Sequence, residues 1–161
     1  MRKPFNIVFV ICTLLFLSCS KQEEPSKKRL LHIPENLEIY HASTKQKNAQ
    51  YNIYVSLDAN CGSCIDKLKK VSEFSSNLKK EYEITFILSA FNKGYIDFAV
   101  EEAFGEKKFS IFYDKKEMFY KLNNQLSSYY FFITDNSHNI LKYGNPDDVN
   151  EMESMIKSLK L

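Results

Sequence analysis

The sequence predicts an α/β domain in which flanking helices cover a mixed central sheet that ends in a β-hairpin and a helix. Three observations support this fold class. Apolar runs typical of strands alternate with segments of helical spacing, and the last two runs are separated by only a short polar turn. A chain of 161 residues is long enough for one domain with a leader. Strands separated by helices favour parallel pairing, and the closing hairpin adds an antiparallel edge.

The first half of the domain is predicted to alternate strand and helix. A short strand is expected over 36–42, and a firmer one over 51–57, which is rich in aromatic and β-branched residues. From Cys64 onward, apolar residues recur every three or four positions, which stacks them on one helical face: Ile65, Leu68, Val71, Phe74 and Leu78. An apolar run over 83–90 predicts a strand covered on both faces, and helical spacing returns over 94–104.

The second half is predicted to add a short strand over 108–114 and a short helix over 115–123. Two further strands, over 129–134 and 139–143, flank a polar turn at 135–138 and predict the hairpin.

A final helix is predicted to begin at Pro146, because proline is favoured in the first turn of a helix. Asp147 and Asp148 would lie in that first turn, and Lys157 and Lys160 in the last turn. Charges placed in this way stabilise the helix dipole.

Residues 1–18 are predicted to be a lipoprotein signal peptide. Two basic residues precede an almost wholly apolar run over 5–17, which is shorter than the roughly 20 residues that a membrane-spanning helix needs. The end of this run resembles a bacterial lipobox, although Phe16 stands where that motif usually has leucine. The resemblance implies cleavage before Cys19 and a diacylglycerol on its sulfur. An ordinary secretory signal or a short anchor is the alternative.

Residues 19–35 are predicted to form a flexible tether, and residues 36–161 the folded domain. The tether is polar and charged and has little periodicity. The formal net charge is +2 and the basic residues are spread along the chain, so nucleic acid is not an expected partner. The protein is therefore expected in the cell envelope, attached to a membrane through its lipid and facing the periplasm or the cell surface.

Cys61 and Cys64 are the cysteines that would remain as thiols in the mature protein. Cys12 would be removed with the signal peptide, and Cys19 would be acylated. The pair lies where a predicted strand ends and a predicted helix begins. Disulfides persist outside the cytoplasm, so the pair could be a redox centre, a structural bridge or part of a metal site.

The domain resembles the thioredoxin-like superfamily and, within it, the membrane-tethered thiol-disulfide proteins of the TlpA and ResA type. The resemblance covers residues 51–161 and rests on CGSC at 61–64, FSIFYD at 109–114 and FFITDNSHNIL at 131–141. It implies a thioredoxin-like fold with a redox-active CxxC pair. Cys61, at the positive end of the helix, would be the nucleophile, and Cys64 would be the resolving thiol.

Three positions depart from the family pattern. No proline lies between Pro34 and Pro146, so Ser128 or Tyr129 stands where the family commonly has a cis-proline. Asn60 replaces the tryptophan that typically precedes the first cysteine, and Val55 replaces a buried acid on the preceding strand.

Asp58 and Asp66 are the carboxylates nearest to the cysteines. They could help a proton to move during disulfide exchange, or they could simply be solvated side chains.

The expected partners are cysteine-containing exported proteins and a thiol donor in the membrane or periplasm. No cofactor is expected. No metal is expected either, because the imidazoles of His32, His41 and His138 are far apart in sequence. The alternative function is a non-catalytic lipoprotein that binds a partner, with a structural disulfide or a metal-binding CxxC.

Overall fold

The computed structural model describes residues 29–43, 49–75 and 78–159. The strands are β1 (Glu38–His41), β2 (Tyr51–Asp58), β3 (Tyr82–Ser89), β4 (Ser110–Tyr113), β5 (Phe131–Asp135) and β6 (Ile140–Gly144). The helices are α1 (Gly62–Ser75), α2 (Lys93–Phe104), α3 (Met118–Leu122) and α4 (Val149–Lys157), and a short 3-10 helix (Asn124–Leu126) follows α3. Among these helices none is long and apolar enough to cross a membrane.

The described strands form one mixed sheet in the order β1-β4-β3-β2-β5-β6. Strand β3 runs parallel to β2 and to β4. Strand β5 pairs antiparallel with β2 and with β6, and β1 pairs antiparallel with β4. The predicted α/β class with a mixed sheet, flanking helices and a terminal hairpin plus helix is therefore confirmed.

Both faces of the sheet are covered, and successive side chains of β2 belong to different core clusters. Ile53 and Val55 belong to a larger core cluster that also contains residues of α1, α2 and α4. Tyr54, between them, belongs to a smaller cluster that contains residues of α3, β5 and the 3-10 helix. Because successive side chains of a strand point to opposite faces, each cluster packs against one face of the sheet.

The N-terminal part of the described chain is packed against the smaller core cluster. Leu31 is 1% exposed and lies in that cluster. Its N–H donates to the His138 carbonyl at 2.9 Å, and the Ile140 N–H donates to the Arg29 carbonyl at 2.7 Å. Residues 29–33, which fall in the predicted tether, therefore contact the folded domain. Residues 1–28, including Cys19 and the predicted signal peptide, lie outside the described residues.

Two helix boundaries also differ from the predictions. Helix α1 begins at Gly62 and ends at Ser75, so Leu78 packs against the larger cluster from outside the helix. Helix α4 begins at Val149 after Asp148, whose side chain accepts the Glu151 N–H at 2.9 Å and caps the helix. Asp147 and Asp148 therefore precede the first turn. Lys160 lies outside the described residues.

Candidate functional site

Cys61 and Cys64 lie at the turn between β2 and α1, where the sequence places them. The Cys61 carbonyl accepts the N–H groups of Cys64 at 3.0 Å and of Ile65 at 3.2 Å, so Cys61 is the residue that caps α1. Its side chain is consequently at the positive end of the helix dipole, which favours a negative charge. Both cysteines are half-buried free thiols.

The surroundings of Cys61 favour its thiolate. The thiol of Cys64 makes the largest contribution to lowering the pKa of Cys61, by hydrogen bonding to its sulfur. The hydroxyl of Ser63 contributes next, with its Oγ 3.0 Å from the Cys61 Sγ, and the Cys64 backbone N–H adds a smaller effect. Because the thiolate is the attacking species in disulfide exchange, this arrangement suits Cys61 to nucleophilic attack.

The surroundings of Cys64 have the opposite effect. Burial is the main cause that raises the pKa of Cys64 to about 11, and the hydrogen bond and charge of Cys61 add to it. The charge of Asp58 raises this pKa further, whereas Lys67 opposes the rise. Cys64 also packs against the larger core cluster. The pair therefore consists of one thiol that ionises readily and one that holds its proton.

Asn60 links the cysteine turn to the end of the neighbouring strand β3. The Asp58 Oδ1 accepts the Asn60 backbone N–H at 2.9 Å and its side-chain Nδ2 at 2.6 Å. The Asn60 Oδ1 in turn accepts the Phe91 N–H at 3.1 Å. The sequence analysis noted only that Asn60 replaces the tryptophan of the family. The Asp-x-Asn spacing could have predicted the local turn, but it could not have predicted the contact with Phe91.

Tyr120 is a further residue near the cysteine turn, and the sequence analysis did not single it out. Its hydroxyl donates to the Ser56 carbonyl at 3.0 Å. Burial is the main cause that raises the pKa of this hydroxyl, and the charges of Cys64 and Asp58 add to the rise. Tyr120 therefore shares an electrostatic environment with Cys64.

Helix α3 holds Tyr120 in this place. The buried carboxylate of Asp114 accepts the N–H of Met118 at 2.9 Å and of Phe119 at 2.7 Å, which satisfies two groups at the start of the helix. No local pattern in the sequence signals that this short helix brings Tyr120 to the Ser56 carbonyl of β2.

The loop before β5 contains Ser128 and Tyr129, the predicted replacements of the cis-proline. No peptide bond among the described residues is cis. The carbonyl of Tyr130, the last residue of the loop, accepts the Ser56 N–H at 2.9 Å. The Lys67 Nζ lies 5.0 Å from the centre of the Tyr130 ring, within the range of a cation-π contact. The ring of Tyr130 is therefore in contact with α1 through Lys67.

The other residues that the sequence singled out do not meet at the cysteines. Val55 is fully buried in the larger cluster, and Asp66 is exposed. The ring of His41 contacts the Phe109 carbonyl, and that of His138 contacts the Tyr54 hydroxyl. In the part of the chain that the structure describes, no three potential metal ligands come together.

Exposed aromatic side chains lie beside the cysteine turn. Phe91, whose N–H is held by Asn60, is 84% exposed. Its ring contacts that of Tyr95 at the start of α2, with 6.5 Å between the ring centres, and Phe98 on the same helix is also exposed. An exposed aromatic surface therefore begins at Phe91, whose N–H contacts Asn60 in the cysteine turn.

Comparison with solved structures identifies the fold as thioredoxin-like. A thioredoxin-like protein from Aeropyrum pernix is 19% identical, with a TM-score of 0.52 over 69% of this chain and 78% of that one. A secreted Mycobacterium tuberculosis disulfide oxidoreductase homologous to E. coli DsbE is 12% identical, with a TM-score of 0.54 over 68% and 81%. StoA from Bacillus subtilis is 14% identical, with a TM-score of 0.52 over 68% and 84%.

These likenesses confirm the predicted thioredoxin-like fold. No protein-family model matches the sequence, and no curated protein is significantly similar to it.

Proposed function

We propose that this protein is a thiol-disulfide oxidoreductase that uses Cys61 and Cys64 as its redox pair. One observation carries the proposal: two cysteines at a helix N-terminus have pKa values that are shifted in opposite directions. A structural bridge has no need of an ionisable first thiol, whereas disulfide exchange depends on one.

The reaction would proceed in two exchanges. The Cys61 thiolate attacks one sulfur of a client disulfide, forms a mixed disulfide and releases the other client sulfur as a thiolate, which takes a proton from water. Cys64 then loses its proton and attacks the Cys61 Sγ. The Cys61–Cys64 disulfide forms, and the second client sulfur leaves as a thiol. Two electrons pass from the pair to the client.

The cellular setting is part of the proposal. Cys19 would carry a lipid and attach the chain to a membrane, with the domain facing the periplasm or the cell surface. The clients would be exported proteins that contain cysteines, and a membrane or periplasmic thiol donor would reduce the pair again. The TlpA and ResA type is the group whose sequence pattern supports this setting, and a secreted disulfide oxidoreductase is among the proteins of similar fold.

The test is the reduction potential of the pair in the full chain, equilibrated in graded dithiol buffers. The tryptic peptide 48–67 contains both cysteines and neither Cys12 nor Cys19, so its mass after alkylation reports this pair alone. A potential between about −300 and −250 mV would indicate a reductant, and one above about −150 mV an oxidant. A pair that remains oxidised below about −300 mV would be a structural bridge and would overturn the proposal.

A further inference from the structure

A groove lies on the face of the sheet that is opposite to helix α1. It has a volume of about 400 Å³ and lies between the sheet and residues 33–39 of the N-terminal segment. Tyr54 and Ile87 line the groove and belong to the smaller core cluster, whereas the buried apolar residues of α1 belong to the larger cluster on the other face. Small-molecule sites in proteins have volumes of about 300 to 1,000 Å³. The groove is therefore large enough for a small ligand, and it is separate from the redox pair.

The lining of the groove combines apolar side chains with negative charge. Its apolar side chains come from both walls: Ile33, Leu37 and Ile39 from the N-terminal segment, and Ile87 and Phe112 from the sheet. Among the described residues that line it, the carboxylates are Glu35 and Glu83, and none is a lysine or an arginine. The groove is therefore suited to a ligand that has an apolar body and a positive charge.

Glu83 is directed into the groove by the alternation of β3. Ile87 belongs to the smaller core cluster and Phe86 to the larger one, so Glu83 shares the face of Ile87. Glu83 is half-buried, and no hydrogen bond or ion pair joins its carboxylate to another described residue. Because a partly buried carboxylate without a partner is costly, a cation bound beside it would be stabilising.

Tyr54 and His138 form a polar wall near this carboxylate. Tyr54 is 8% exposed, and its hydroxyl shares a hydrogen bond of 3.2 Å with the His138 Nδ1. His138 has a φ of 60°, which is uncommon for a residue other than glycine, and its carbonyl accepts the Leu31 N–H at 2.9 Å. Burial is the main cause that raises the pKa of the Tyr54 hydroxyl to about 12, and the charge of Glu83 adds to the rise. The Tyr54 oxygen is therefore a fixed polar atom within electrostatic reach of Glu83.

We propose that this groove binds a small organic cation with an apolar body, its charge beside Glu83 and its apolar part between Ile39 and Phe112. These two apolar residues lie opposite each other in the pairing of β1 with β4. Charge complementarity selects this class of ligand. An anion would lie beside two carboxylates, and a neutral apolar ligand would bury Glu83 further without a partner for its charge. The inference is independent of the proposed redox function, because the groove lies on the other face of the sheet.

The test measures the affinity of the full chain for three probes that share one apolar chain: hexylammonium, hexanol and hexanoate. Saturation-transfer NMR, observed on each probe during a titration at neutral pH, gives the dissociation constants. Hexylammonium is expected to bind about tenfold more tightly than hexanol, a difference that one hydrogen bond to a charged group can supply. Hexanoate is expected to bind least.

Glu83→Gln keeps the size of the side chain and removes its charge. It is expected to reduce the affinity for hexylammonium about tenfold, to that for hexanol. The matched control is Glu101→Gln, which removes an exposed charge from α2, a helix that packs in the larger cluster, and should leave the affinity unchanged. Ile39→Ala tests the apolar wall at a side chain that is 68% exposed, and it should weaken the binding of hexylammonium.

The proposal would be overturned if hexanol or hexanoate bound as tightly as hexylammonium, or if no probe bound. Equal effects of Glu83→Gln and Glu101→Gln, or an unchanged affinity in Ile39→Ala, would also overturn it. These results would mean that the groove does not select a positive charge, or that hexylammonium binds at another part of the chain.

Discussion

Replacing Leu31 with alanine is expected to destabilise the domain by about 2 to 5 kcal/mol, the range observed for buried leucines. Leu31 is 1% exposed and packs with Phe119 and Phe132, both of which are fully buried. Truncation would remove apolar contacts and leave a cavity beneath the N-terminal segment. The prediction is a stringent test because the local sequence around Leu31 has the polar, charged composition of a tether, in which a leucine would contribute little to stability.

Leu30→Ala is the matched control. Leu30 has the same side chain one position earlier, but it is 47% exposed, and its pairing with Asn139 is a backbone bridge. Its substitution removes little buried area and no ladder hydrogen bond. The expected cost is below about 1 kcal/mol.

The assay is thermal unfolding of the full chain, followed by circular dichroism. A folded unit of about 125 residues has an unfolding entropy of about 0.26 kcal/mol per kelvin, so a loss of about 3 kcal/mol should lower the midpoint by about 11 °C. Leu30→Ala should lower it by less than about 4 °C. Equal small shifts for the two variants would refute the packing of Leu31 in the smaller core cluster.

Three further predictions concern the site. Cys64→Ala should raise the pKa of Cys61, because alanine has no group that can donate the hydrogen bond that contributes most to the lowered value. Alkylation of Cys61 at pH 7 should therefore slow, and an unchanged rate would contradict this. Asp114→Ala should cost about 1 to 3 kcal/mol in urea unfolding, because two N–H groups at the start of α3 lose a buried acceptor, whereas Asp66→Ala should cost little. The free energy of unfolding should fall as the pH rises from about 9 to 11, because the Cys64 thiol loses its proton at lower pH in the unfolded chain than in the folded one. The decline should be shallower in Cys64→Ser. Identical curves for the two proteins would count against the raised pKa.

The fold could be predicted because its elements are set by local periodicity. Strand β2 alternates between the two core clusters, and α1 repeats its apolar residues every three or four positions. These periods are properties of neighbouring residues, and they identify strand and helix without knowledge of the partner element. The end of a helix depends on finer contacts, such as the Asp148 cap, so the boundaries moved by a few residues.

The residues that were missed act through contacts between distant parts of the chain. The Asn60–Phe91 bond joins residues 31 positions apart, and the Tyr120–Ser56 bond joins residues 64 positions apart. Leu31 likewise meets Phe119 only in the folded protein. A single sequence does not predict such pairs, because the residue type of a tyrosine or a leucine does not determine which distant residue it will contact.

The departures from the family pattern around the cysteines have a common physical consequence. A carboxylate at Val55 would be fully buried in the larger apolar cluster, where an ionised group without partners is very costly. The carboxylate that does affect Cys64 belongs instead to Asp58, at the half-buried end of the strand, where Asn60 supplies two donors. A partly solvated, hydrogen-bonded carboxylate is much less costly than a buried one.

Such a carboxylate acts on Cys64 mainly through its charge. The second exchange of the proposed reaction should also accelerate with rising pH, because burial and the charge of Asp58 still raise the pKa of Cys64 when Cys61 is held in the mixed disulfide. The first exchange, at Cys61, should reach its maximal rate at lower pH, because the pKa of that thiol is lowered. Mixed disulfides should consequently accumulate at neutral pH and clear at alkaline pH, which rapid acid quenching and mass spectrometry would detect. Equal pH profiles for the two exchanges would show that the two thiols are not differentiated.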